Sequence, residues 1–174
     1  MNPVAWFVPG VRANGATFFA GLIVWLLIDA ARTAGLLYGG VDLPAMTGLI
    51  SLVLIVLFLI FLHVNRLNDA GRSWTWVLLP VLLSIVAYFV VLMIFGMMIF
   101  FEQLGVYADA NGLDGGTIMQ DPALMAEFQA WFEANADQWA GSQGVATWSS
   151  FAAFWVVYVL FGFWFRGMPS REAA

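Results

Sequence analysis

Cysteine and lysine are both absent from this 174-residue chain, and charge of either sign is scarce. Without cysteine there are no disulfides, no thiolate nucleophile and no cysteine metal ligand, and the redox compartment is left open. The one histidine, His63, has no neighbouring carboxylate and makes a poor metal-ligand set on its own. Only 10% of the residues are charged, where a soluble domain carries about 25%, so water is a poor solvent for this chain. All basic residues are arginine and the net charge is −5, which excludes a basic nucleic-acid surface. Neither a nucleophile with its base nor an acidic metal cluster stands out. An enzyme is therefore disfavoured, and no metal or cofactor is expected.

What the chain has in quantity is long apolar sequence, over about 17–37, 44–64, 74–101 and 145–165. A hydrocarbon core about 30 Å thick takes about 20 residues of helix, so each run is long enough to cross it. The expected fold is all-α, an integral membrane four-helix transmembrane bundle forming one domain over 1–174. Arg12 precedes the first run as in a cleavable signal. That run, however, is too long for a signal core and contains Asp29 and Arg32, so it reads as a retained helix. Residues 1–16, with Pro3, Trp6, Phe7, Pro9 and Gly15, suit a short segment at the membrane interface.

Orientation follows from arginine. Arg12 precedes the first run, Arg66 and Arg72 lie between the second and third, and Arg166 and Arg171 follow the fourth, whereas the turn at 38–43 holds only Asp42. Basic residues favour the cytoplasmic side, which puts both termini there and segment 102–144 outside. That outer segment carries Glu102, Asp109, Asp114, Asp121, Glu127, Glu133 and Asp137 with no basic residue. Asp121 followed by Pro122 is a helix start, and Leu124, Phe128, Trp131, Phe132 and Trp139 recur at helical spacing. An extracytoplasmic amphipathic helix is expected, its apolar face either packed on the bundle's outer end or on the lipid interface, or offered to a partner through Phe128, Trp131 and Phe132. Asp109, Asn111 and Asp114 lie close together, but a calcium loop needs glycine and glutamate where Asp114 and Gln120 stand, so the run reads as a glycine-rich turn.

Within the first run Asp29 and Arg32 share a helix face and can pair. Charges in hydrocarbon must be paired or hydrated, which leaves a structural ion pair, an oligomer contact or an ion path open. His63 suits interfacial hydrogen bonding. Ser73 caps the third run, Trp74 and Trp76 anchor it, and Pro80 should bend it.

The most distinctive local sequence is the turn from Arg66 to Trp74. Gly71 can end one helix in a left-handed conformation, Ser73 can begin the next, and Asp69 lies between Arg66 and Arg72. Through Arg66, Leu67, Asp69, Gly71, Arg72, Ser73, Trp76 and Pro80 this turn resembles the domain-of-unknown-function 805 family of bacterial inner-membrane proteins. Phe18, Phe19 and Trp25 match that family more loosely, and the likeness spans about 14–98. Asn65 and Asn68 stand where the family has arginine and histidine. The resemblance implies inner-membrane placement and helical-hairpin topology, and no reaction. The expectation is therefore a non-enzymatic scaffold or accessory subunit. It would contact membrane lipids or a partner through Arg66, Asn68, Asp69, Gly71, Arg72 and Ser73, as a homo-oligomer or within a larger membrane complex. The alternative is a small oligomeric transporter or channel using Asp29.

Overall fold

The structure, a computed structural model, describes residues 2–39 and 46–171. It is all-helical, with no strand among the described residues. The helices are α1 (Gly15–Tyr38), α2 (Met46–Asp69), α3 (Leu78–Asn111), α4 (Gly115–Gln120), α5 (Pro122–Ala134) and α6 (Ala140–Arg166), with 3-10 turns at Pro3–Trp6, Trp74–Val77 and Ala136–Trp139. Asp42 and the expected head of the second run at Pro44 lie outside the described residues.

Four helical stretches are long and apolar enough to cross a membrane: Gly15–Tyr38, Met46–Asp69, Trp74–Asn111 and Gly141–Arg166. Their burial pattern supports a multi-pass membrane protein. Leu27, Ile50, Leu82, Met93 and Leu160 point outward, while Thr17, Asp29, Thr33, His63, Ser84 and Ser150 are buried. Water would reverse that arrangement, whereas acyl chains tolerate it.

Local signals set the helix ends. Asn14 caps α1 by accepting the Thr17 amide at 2.9 Å. At the end of α2, Gly71 takes φ +65°. The Arg72 amide then reaches Leu67 O at 2.8 Å and the Gly71 amide reaches Asn68 O at 3.2 Å, the paired bonds of a Schellman stop. Gly112, at φ +63°, ends α3 in the same way, with Leu113 N on Ala108 O at 2.9 Å. Asp114 then caps α4, a short helix the sequence reading lacked, and Asp121 caps α5 ahead of Pro122.

Pro80, expected to bend the third run, stands close behind a change of helix type. Ser73 opens a 3-10 turn, α3 starts only at Leu78, and Pro80 falls in the first helical turn, where an amide has no intrahelical partner to lose. α3 also runs past its expected end at 101 to Asn111.

Chain contacts divide the protein into two compact units, residues 1–88 with 151–174 and residues 89–150. In the first, Phe18, Leu22, Leu59, Leu62, Phe154, Tyr158 and Phe165 form the centre of an apolar core. In the second, Leu104, Tyr107, Ala108, Ile118 and Phe128 pack together.

Candidate functional site

The functional candidates concentrate where α2 turns into α3, within the first unit. Arg66 leaves the last turn of α2 fully buried. Its Nε donates to Phe165 O at 2.9 Å, its Nη2 to Met168 O, and its Nη1 to Asp69 Oδ2 at 2.5 Å. Phe165 lies in the last turn of α6, whose final carbonyls have no intrahelical donor, so the guanidinium caps that helix and sits at the negative end of its dipole. The Ser170 hydroxyl donates to the same Asp69 oxygen at 2.6 Å and ties the segment after α6 into the knot.

This overturns two expectations for the turn. Arg66 is not available to lipid or partner, because its donors are engaged inside the protein. Nor is Asp69 shared between two arginines, because its 2.5 Å bond goes to Arg66. Arg72, turned away by the left-handed Gly71, is exposed and has no ion pair among the described residues. Asn68 is exposed too, and Ser73 is used locally, accepting the Thr75 amide at 3.3 Å.

Beside Arg72 lies a crevice of about 220 Å³ lined by Arg72, Trp76, Trp164 and Met168. The two indoles meet edge to face at 5.6 Å, and each is nearly half exposed, Trp76 at 43% and Trp164 at 48%. Arg171 is adjacent, its Nε 3.1 Å from where a Cβ on Gly71 would stand.

Asn65 is the residue that sequence reasoning missed, having registered it only as a departure from a family pattern. It is fully buried, and its amide donates to Ala5 O at 2.9 Å and Val8 O at 2.7 Å while its Oδ1 accepts the Gly10 amide at 2.9 Å. The N-terminal segment is thereby folded against α1 and α2, where only an interfacial position was expected. Trp6 donates to Thr17 O at 2.9 Å and fits over Gly21, where a Cβ would meet its ring at 2.6 Å. Phe7 packs on Trp25 and Phe58. A side chain satisfying three backbone groups distant in sequence leaves no periodic signal that could have revealed it.

Deeper in the first unit, Asp29 is buried and doubly engaged. Arg32 Nε donates to Oδ1 at 2.6 Å and Trp155 Nε1, from α6, donates to Oδ2 at 2.8 Å. Arg32 also reaches Gly48 O and Ser51 Oγ of α2 at 3.3 and 3.2 Å. The pair thus joins α1 to α2 and α6. His63, expected at the interface, is instead fully buried among Phe18, Tyr158 and Phe165, with Nδ1 2.7 Å from Leu59 O.

In the second unit, the three residues expected to form a docking face on α5 are packed to different degrees, Phe128 buried and Trp131 and Phe132 half-buried. Phe128 is fully buried against Phe100, Tyr107, Trp131 and Phe132, and Phe132 stacks on Trp139 at 4.3 Å. Apolar residues of α5 thus pack on the end of α3. Asp109, Asn111 and Asp114 serve the turn, with Asn111 donating to Tyr107 O and Asp114 accepting from Thr117 N. No group of residues able to hold a metal occurs among the described residues.

Comparison with protein-family models, with curated proteins and with solved structures found no match.

Proposed function

We propose that this chain is a non-enzymatic membrane scaffold or accessory subunit, with its arginine-bearing end and both termini on the cytoplasmic side of a bacterial inner membrane. It meets lipid head groups there and works as a homo-oligomer or within a larger membrane complex. The observation that carries this reading is the engagement of its buried charges with one another and with neighbouring helices. Asp29 is held by Arg32 and Trp155, and Arg66 by Asp69 and the carbonyls ending α6. Transport would call for a charge facing a hydrated cavity, and catalysis for a reactive group with open access. Here the charged groups tie helices together, which is what a scaffold needs.

The test is reconstitution of the full chain in liposomes beside gentle extraction of its native assembly. A scaffold gives no ion or proton flux above empty vesicles and migrates above monomer size. A flux that disappears in Asp29→Asn, whatever the size of the assembly, would overturn the reading in favour of a channel.

A further inference from the structure

We infer that the crevice bounded by Arg72, Trp76, Trp164 and Met168 binds the head group of an anionic phospholipid, a deepening of the scaffold reading that rests on its lipid-contacting end. The chemistry starts with the division of labour at the turn. Asp69 bonds Arg66 and Ser170, and the cation next along the chain, Arg72, is exposed with no ion pair among the described residues. A planar guanidinium in that state is a fork for two oxygens of a phosphodiester. Arg171, whose side chain lies over Gly71, puts a second cation beside the residue that precedes Arg72.

The walls specify a lipid over a free anion. Trp76 and Trp164 stand near the ends of apolar helices, half exposed and edge to face, and indole prefers the boundary between head groups and acyl chains. Met168 completes the apolar side with an adaptable thioether. One rim of the crevice therefore suits a phosphate and the other a glycerol backbone with the start of its chains. A volume of about 220 Å³ holds a head group and leaves the tails outside, along the exposed apolar face of α3 at Leu79, Leu82 and Leu83.

The experiment uses the purified full chain in a neutral detergent, with native mass spectrometry counting retained lipid and tryptophan fluorescence following thermal unfolding. The probes are phosphatidylglycerol, phosphatidylcholine and water-soluble glycerophosphate. Wild type should retain phosphatidylglycerol over phosphatidylcholine by at least about fivefold, the scale of one arginine near an anionic surface. Arg72→Gln should remove that preference and Arg171→Gln should halve it or more, while Arg166→Gln, whose guanidinium stacks 4.8 Å from the Phe19 ring, should leave it unchanged. If Arg72→Gln does not fold, Trp164→Leu serves instead and should lower retention of both lipids without changing their ratio. Equal retention of the two lipids by wild type, an undiminished preference in Arg72→Gln, or equal protection by glycerophosphate would each overturn the site. Those results leave the scaffold reading standing, whereas an Asp29-dependent flux would sink that reading and leave the lipid preference intact.

Discussion

Arg66→Met is the sharpest perturbation available, because it keeps the length and volume of a buried side chain while deleting every bond it makes. Three strong bonds disappear, to Phe165 O, Met168 O and Asp69 Oδ2, and the Asp69 carboxylate keeps only Ser170 from this group. Two estimates bracket the cost. Polar contacts between helices in membranes average about 0.6 kcal/mol and reach about 1.7, since the unfolded state in lipid finds partners too; three of them sum to about 2–5 kcal/mol. Breaking a buried ion pair by removing one partner costs about 3–5 kcal/mol. The two converge on about 3 kcal/mol.

The assay is equilibrium unfolding of the purified protein in mixed micelles, followed by tryptophan fluorescence, with Asp69→Leu and the double variant completing a cycle. Arg66→Met/Asp69→Leu should recover part of the loss, because it strands no carboxylate, but not all of it, because the bonds to the Phe165 and Met168 carbonyls are still lost. Arg66→Lys should fall between, since a point charge cannot span carbonyls and carboxylate at once. A loss in Arg66→Met below about 1 kcal/mol, the scale of one ordinary membrane hydrogen bond, would refute the claim that this side chain locks α2 to α6.

Three further outcomes follow from the geometry. Asn65→Ala removes three bonds worth about 1 kcal/mol each, so residues 2–13 should become sensitive to protease and exchange amide hydrogen faster, with α2 itself unchanged. Trp155→Phe deletes the α6 donor to Asp29, a hydrogen bond to a charged group worth about 1.5–3 kcal/mol in water and less in lipid; it should lower the unfolding midpoint without creating ion flux. Phe128→Ala, at about 3–5 kcal/mol for a buried aromatic, should raise hydrogen exchange through α4 and α5 while leaving α1 and α2 protected, because Phe128 packs within the second unit.

Features decided locally were legible in the sequence. Hydrocarbon thickness sets span length, so four apolar runs could be counted without knowing their neighbours. Gly71 and the Asp121–Pro122 start were legible for the same reason, since a left-handed stop and a capped first turn depend on a few adjacent residues. The partners of Arg66 were not. Phe165 and Met168 lie about a hundred positions away, and they contribute backbone carbonyls, a group every residue carries and no pattern advertises. Periodicity likewise showed that α5 has an apolar face and was silent on what covers it, because Tyr107 lies beyond the expected end of the third run. Arg66 and Arg72 looked equivalent on the page. Only the reversal at Gly71 separates an inward cation from an outward one.

That separation bears on how a small apolar chain acquires a single fold in lipid. Acyl chains are as apolar as leucine, so burying one more leucine between helices gains little over leaving it in the bilayer, and polar bonds together with close packing must select the partners. The buried polar anchors do this at different levels of the first unit. Asp29 and Arg32 join α1 to α2 and α6, Asn65 joins the N-terminal segment to α2, and Arg66 joins α2 to the end of α6. Gly15 and Gly162 allow close approach between segments, for a Cβ at the first would meet Arg166 O at 2.6 Å and at the second would collide with the Leu22 side chain. Several of the residues that look most functional in an apolar sequence thus join its helices, and Asp29, Asn65 and Arg66 are buried in doing so. Contact with the surroundings falls to polar groups that folding leaves over. At this end of the protein Arg72 is such a group, and its indole neighbours say which solvent boundary it faces.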